Sequence, residues 1–200
     1  MDECCSVITV SGRQRRVFRI VFWVNVLMFF LEATAGLLSY STALLADSAD
    51  MLGDAIVYGF SLYVIGRGRK WHARAAILKG MLMAVFGVGV FVQVVLKVLQ
   101  GLVPVAEVMG VLGTLALLAN VCCLLLLWRH RHDDINMRSS WVCSRNDVIG
   151  NVGVLFAALG VSLTGSAWPD IVVGLFVAAI FVRSAILVLR EATQELQHSH

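Results

Sequence analysis

The sequence predicts an all-α, polytopic membrane protein with six transmembrane helices. Of its 200 residues, 59% are hydrophobic and 14% are charged, whereas soluble domains have about 45–50% and about 25%. The apolar residues fall into six segments, each near the roughly 20 residues that a helix needs to cross a bilayer core. The segments are too long for membrane strands and lack their period-2 alternation, which excludes transmembrane strands.

The six spans are predicted, in chain order, at residues 17–38, 42–65, 75–99, 105–128, 140–164 and 171–189. Short connections with turn-forming residues join spans 1 and 2, 3 and 4, and 5 and 6, which predicts three tight hairpins. The domain organisation is therefore one six-helix transmembrane domain over residues 17–190. A tail of residues 1–16 precedes it, and a short tail of residues 191–200 follows it.

The basic residues predict the orientation of the spans. Lysines and arginines lie before span 1, between spans 2 and 3, between spans 4 and 5, and after span 6. The opposite side has only Lys97. Because basic loops stay in the cytosol, both tails are predicted to be cytosolic, in a multi-pass protein of the cell membrane.

A cleaved signal peptide is the competing interpretation of span 1. The basic residues before an apolar run and the Ala33-Thr34-Ala35 sequence fit such a peptide superficially. Glu32 next to this sequence and the length of the run argue against cleavage.

Two polar stripes interrupt the apolar character of spans 2 and 5. Their residues are Asp47, Asp50 and Asp54 in span 2, and Cys143, Asp147 and Asn151 in span 5. Spacings of three and four residues place each stripe on one helix face. An unpaired charge near the bilayer centre costs about 2.5–3.5 kcal/mol on insertion scales. A bound cation, a proton or a water-filled cavity must therefore stabilise these acids.

Four of these residues form a candidate metal site, namely Asp50, Asp54, Cys143 and Asp147. Three carboxylates and one thiol are a complete ligand set for a divalent ion, and the two antiparallel helices allow them to meet near mid-depth. One thiolate among oxygens suits Zn²⁺, Cd²⁺ or Co²⁺ better than Mg²⁺ or Ca²⁺. Two alternatives remain open: polar contacts that only hold helices together, and a path for protons or monovalent cations.

Other residues are candidate accessory ligands: Asp47, Asn151, Asn25, Glu32, His130 and His132. Asn25 and Glu32 share a face of span 1. If Glu32 lies at the outer interface with water, the free-energy cost of its charge is small. The loop with the two histidines could collect metal or be simply solvated. We find no nucleotide-binding loop or hydrolytic site, so the sequence predicts neither an enzyme nor ATP as energy source, and no nucleic-acid partner.

Three stretches of the sequence resemble the cation diffusion facilitator family: residues 25–54, residues 146–151 with the preceding Cys143, and residues 169–192. The resemblance extends from about residue 15 to residue 191. The family pattern is a pair of HxxxD or DxxxD motifs, in helices 2 and 5, that forms one tetrahedral site. Here Asp50 and Asp54 match the first motif, and Cys143 and Asp147 match the second. Asp50 replaces the histidine of many members, and Cys143 replaces the usual histidine or aspartate.

The resemblance implies a dimeric exchanger that moves Zn²⁺ or a similar divalent cation out of the cytosol against protons. The sequence ends about ten residues after span 6, so we expect a compact member without the usual C-terminal cytosolic domain. The expected partners are the transported ion, protons, the lipid bilayer and a second copy of the chain. No permanently bound cofactor is expected. The alternative is a membrane sensor or partner subunit that binds metal without transporting it.

Overall fold

The computed structural model describes residues 12–63, 69–131 and 135–197, and the regular elements in these ranges are all α-helices. The helices are α1 (Gly12–Leu38), α2 (Thr42–Tyr63), α3 (Arg69–Gln100), α4 (Ala106–Trp128), α5 (Ile135–Thr164) and α6 (Trp168–Gln197). The predicted all-α fold is confirmed. Helices α1 and α6 continue into the predicted tails, because a helix need not end where the bilayer ends.

The helices have the character expected of a multi-pass membrane protein. Within the described residues, α1, α4 and α5 each contain a stretch long and apolar enough to cross a membrane. Shorter apolar stretches lie in α3, at residues 84–100, and in α6, at residues 168–180. Helix α2 carries three carboxylates and is not among these apolar stretches. Large exposed side chains such as Trp23, Phe91 and Phe156 give the bundle an apolar outer surface.

The packing of the helices differs in part from the three predicted hairpins. Helix α1 packs along α2, and α5 also contacts α6, as predicted. In contrast, α3 packs mainly against α6 and α4 mainly against α5, although only a short connection joins α3 to α4. The prediction of a tight α3–α4 hairpin was therefore wrong, since a short connection fixes only the neighbouring helix ends. The arrangement leaves α2 in contact with α1, α3, α5 and α6.

Three short connections lie at one end of the bundle, here called the outer end: residues 39–41, 101–105 and 165–167. Tyr40, Gly101 and Gly165 have φ angles of 56°, 64° and 61°. A residue with positive φ directly after a helix is a common helix stop, and glycine takes it without strain. The backbone N–H of Val105 donates to the carbonyl of Ser39 over 3.2 Å, which ties two connections together.

Apolar clusters lie on both sides of the polar stripes along the length of the bundle. Toward the outer end, Leu44 of α2 packs with Met109 of α4 and Val154 of α5. Toward the other end, Phe18 of α1 packs with Tyr58 of α2. These clusters pack α1, α2, α4 and α5 together and lie on either side of the carboxylates of α2.

Candidate metal centre

Three of the four predicted ligands lie together inside the bundle. One carboxylate oxygen from each of Asp50, Asp54 and Asp147 lies within 4.8 Å of the other two. Asp54 and Asp147 are 7% exposed. In a tetrahedral zinc site, ligand oxygens about 2.0–2.2 Å from the ion lie roughly 3.4 Å apart. At separations of up to 4.8 Å, the three oxygens are somewhat farther apart than the ligands of one zinc ion.

The local structure of α2 and α5 explains why these acids meet. Asp50 and Asp54 are one helical turn apart and therefore project from the same face of α2. Helix α5 packs against α2 and carries Asp147 to this face. Asp147 interacts electrostatically with Asp54 and Asp50. Buried like charges are costly unless a cation or protons balance them.

Cys143 is on the same helix as Asp147, one turn closer to the start of α5. This spacing places both residues on one face of the helix. The side chain of Cys143 lies outside the described part of the structure. Its role as the fourth ligand therefore stays a prediction.

The accessory candidates on α2 and α5 lie next to the three clustered acids. The amide nitrogen of Asn151 donates to Asp47 Oδ1 over 3.3 Å and to the carbonyl of Asp147 over 2.9 Å. Both residues are buried, and each is about one turn closer to the outer end than Asp50 or Asp147. The structure thus continues the polar stripe from the clustered acids toward the outer end.

The two candidates on α1 are buried, whereas only one of the two histidines after α4 lies in the described part of the structure. Glu32 is 0% exposed and interacts electrostatically with Asp47, so its side chain faces the bundle rather than water at an interface. Asn25 is also buried and donates to the carbonyl of Val21 in its own helix over 2.9 Å. His130 is half-buried just after α4. His132 lies outside the described residues.

Sequence reasoning missed one buried polar cluster, which lies at the outer end. Asp170 at the start of α6 forms an ion pair with Lys97 of α3, and both side chains are at most 1% exposed. The Asp170 carboxylate also accepts hydrogen bonds from the hydroxyl groups of Ser41 and Thr42 and from the backbone N–H groups of Thr42 and Ala43. It therefore caps α2 from another helix. The available signal was a lysine inside an apolar span, which usually has a buried partner.

The sequence also matches a known family over nearly its whole length. The family model described as the cation efflux transmembrane domain matches residues 18–197. The chain belongs to the cation efflux family. This result confirms the resemblance noted from the motifs in α2 and α5.

Named relatives in the cation efflux family include transporters of several metals. Zinc transporter ZitB of Yersinia pestis is 27% identical over 204 residues, which cover 96% of this chain and 65% of ZitB. The metal cation efflux system protein CzcD of Cupriavidus metallidurans is 24% identical over 205 residues, covering 92% of this chain and 64% of CzcD. A cadmium, cobalt and zinc/H(+)-K(+) antiporter of Bacillus subtilis is 23% identical over 199 residues, covering 91% and 63%. The chain thus matches slightly less than two thirds of the length of each relative.

Proposed function

We propose that this chain exports a divalent metal ion, with Zn²⁺ as the expected cargo, from the cytosol in exchange for protons. The ion binds to Asp50, Asp54 and Asp147, with Cys143 as the fourth ligand. The observation that carries the proposal is the convergence of three carboxylates from two helices within 4.8 Å, inside a membrane bundle. Membership of the cation efflux family and the transport functions named for its relatives support it.

The chemistry of the proposed ligands links metal transport to protons. Carboxylates and thiols bind a metal ion only when they are deprotonated, so protons compete with the metal for the same atoms. In the cytosol-facing state the metal displaces protons from the site. In the outward-facing state protons neutralise the acids and the metal leaves. Rocking of helix groups around a site near mid-depth is the general way in which secondary transporters alternate access.

The ligand set also decides which ions the site accepts. Three carboxylates alone form a hard site that would hold Mn²⁺ or Mg²⁺ comparatively well, whereas a thiolate favours Zn²⁺ and Cd²⁺. The proposed selectivity for zinc and cadmium therefore depends on Cys143, and the proposed electrostatic requirement for a cation depends on the three carboxylates.

The proposal includes an orientation and an assembly state. Both termini face the cytosol, the protein lies in the cell membrane and two copies form a dimer. The positive-inside pattern of the basic residues supports the orientation. The family resemblance supports the dimer. With this orientation, the outer end of the bundle is the side on which the ion is released.

Transport by the purified chain in proteoliposomes tests the proposal. An acidic lumen should drive Zn²⁺ uptake through copies whose cytosolic side faces outward, and a protonophore should abolish this uptake. Asp54→Asn should abolish transport because it removes one of the charges that hold the ion. Glu107→Gln is the matched control, since Glu107 is an exposed carboxylate at the start of α4. A Zn²⁺ flux that does not depend on the pH gradient would refute proton exchange. An unchanged flux in Asp54→Asn would refute the proposed metal site.

A further inference from the structure

The side chain of Glu32 is a buried carboxylate of α1 that the proposed transport site does not include. It is 0% exposed and lies beside the Asp47 carboxylate, and no N–H or O–H group among the described residues donates a hydrogen bond to either of its oxygens. Two buried carboxylates in contact are strongly disfavoured unless a cation or a proton lies between them. An interior carboxylate in a membrane bundle is therefore a candidate functional group.

Two neighbouring residues also direct unsatisfied oxygen atoms into the interior. Asp47 is 4% exposed and Asn151 is 0% exposed. No N–H or O–H group among the described residues donates a hydrogen bond to Asp47 Oδ2 or Asn151 Oδ1. The contact between the Asn151 amide nitrogen and Asp47 Oδ1 fixes these two side chains beside each other. Asn151 thus turns its donor toward Asp47 and leaves its acceptor available, which suits a cation and not an anion.

Three different helices bring these oxygens to one level of the bundle. Glu32 lies six residues before the end of α1 and Asp47 five residues after the start of α2. At a rise of about 1.5 Å per residue, both lie roughly 7–9 Å from the connection that joins α1 to α2. Asn151 of α5 is held at this level by its hydrogen bond to Asp47.

We propose that Glu32, Asp47 and Asn151 form a second divalent-cation subsite, through which the ion passes after it leaves the site of Asp50, Asp54 and Asp147. This inference rests on the proposed function, because it assigns an exit step to the same transport path. The subsite lies one turn of α2 from Asp50, or about 4.5 Å along the helix axis. An ion therefore moves to it in one short step toward the outer end.

The chemistry of the two sites differs in a way that favours release. The subsite offers two carboxylates and one amide oxygen, which are hard ligands without a thiol or an imidazole. Zn²⁺ and Cd²⁺ gain less from such ligands than from a site that contains a thiolate. The subsite thus holds the ion more weakly than the inner site and passes it to water at the outer end.

Zinc binding to the full chain in lipid nanodiscs tests the subsite directly. Equilibrium dialysis against radioactive Zn²⁺ should show that Glu32→Gln binds one ion fewer per chain than the unmodified protein, or binds that ion at least about 10-fold more weakly. Asp54→Asn should lose a different ion, and the double variant should lose both. Histidines and cysteines elsewhere also bind zinc, so the measured quantity is the loss relative to the unmodified chain. Glu107→Gln should lose none.

The outcomes separate the subsite from the proposed function. If Glu32→Gln retains every bound ion while Asp54→Asn loses one, the subsite does not exist and the inner site stands. If Asp54→Asn loses none, the inner site is refuted as well. If Glu32→Gln keeps its zinc and changes only the pH profile of transport, Glu32 carries a proton and the cation subsite is overturned. If Glu32→Gln retains a zinc ion that the double variant loses, the inner site of Glu32→Gln is intact. This result also shows that the Glu32→Gln protein is folded.

Discussion

Replacement of Asp170 by alanine is predicted to destabilise the outer end of the bundle. The change removes the partner of Lys97, whose side chain is 1% exposed and would remain as an uncompensated buried charge. Loss of one partner of a buried ion pair costs about 3–5 kcal/mol. It also removes the acceptor for the N–H groups of Thr42 and Ala43, at 2.8 and 3.1 Å, and loss of a helix cap costs about 0.5–2 kcal/mol. If the two losses add, unfolding becomes easier by about 3.5–7 kcal/mol.

The assay is thermal unfolding of the detergent-purified protein followed by intrinsic tryptophan fluorescence. For a chain of this size each kcal/mol shifts the midpoint by about 2–4 °C, so Asp170→Ala should lower the midpoint by at least about 7 °C. Lys97→Met should have a smaller effect, because Asp170 keeps its hydrogen bonds to the start of α2. In the double variant the loss should be smaller than the sum of the two single losses. Additive losses, or a midpoint no lower than that of Glu107→Ala, would refute the reasoning.

Three further predictions concern the transport path and its orientation. Asp147→Asn should abolish flux of every divalent metal in proteoliposomes, as Asp54→Asn does, and a variant that still transports Mn²⁺ would show that its charge is dispensable. Cys143→Ser should lower Zn²⁺ and Cd²⁺ affinity more than Mn²⁺ affinity in competition assays, since it removes the only soft ligand; an unchanged order of metals would make the thiol a packing group. Cysteines introduced by Val103→Cys and His130→Cys, at opposite ends of α4, should react with impermeant reagents from opposite sides of the membrane, and labelling from the same side would contradict the topology.

The sequence predicts the helices well because membrane spans depend on local hydrophobicity and length. Each of the six predicted spans lies largely within an observed helix. The stripes at Asp50, Asp54 and Asp147 are also a local property, since helix geometry alone places such residues on one face. Their meeting across two helices followed from the antiparallel order of the spans.

Contacts between distant parts of the chain could not be predicted in this way. The pairing of Lys97 with Asp170 joins residues 73 positions apart, and no periodic pattern connects them. The association of α3 with α6, rather than with its sequence neighbour α4, depends on how side chains fit together. Glycine contributes to such fits: a Cβ atom on Gly174 of α6 would lie 2.8 Å from Thr42 of α2. A larger residue there would push α6 away from the start of α2, and this close approach has no signature in hydropathy.

The position of Glu32 shows a further limit of sequence reasoning. A glutamate near the end of an apolar span is expected at the interface with water, where the free-energy cost of its charge is small. The structure instead turns its side chain toward Asp47, inside the bundle. The depth of a residue follows from the sequence, whereas the direction it faces depends on which helices pack beside it.

The location of a bound zinc ion is the most direct test of the central claim, that Asp50, Asp54, Asp147 and Cys143 form the transport site. Crystals of the full chain grown with Zn²⁺ should give an anomalous peak at the zinc edge between α2 and α5. We expect carboxylate oxygens of the three aspartates about 2.0–2.2 Å from the peak and the Cys143 sulfur about 2.3 Å from it. A strong peak at histidines or at the outer end, with none among the three aspartates, would contradict the account.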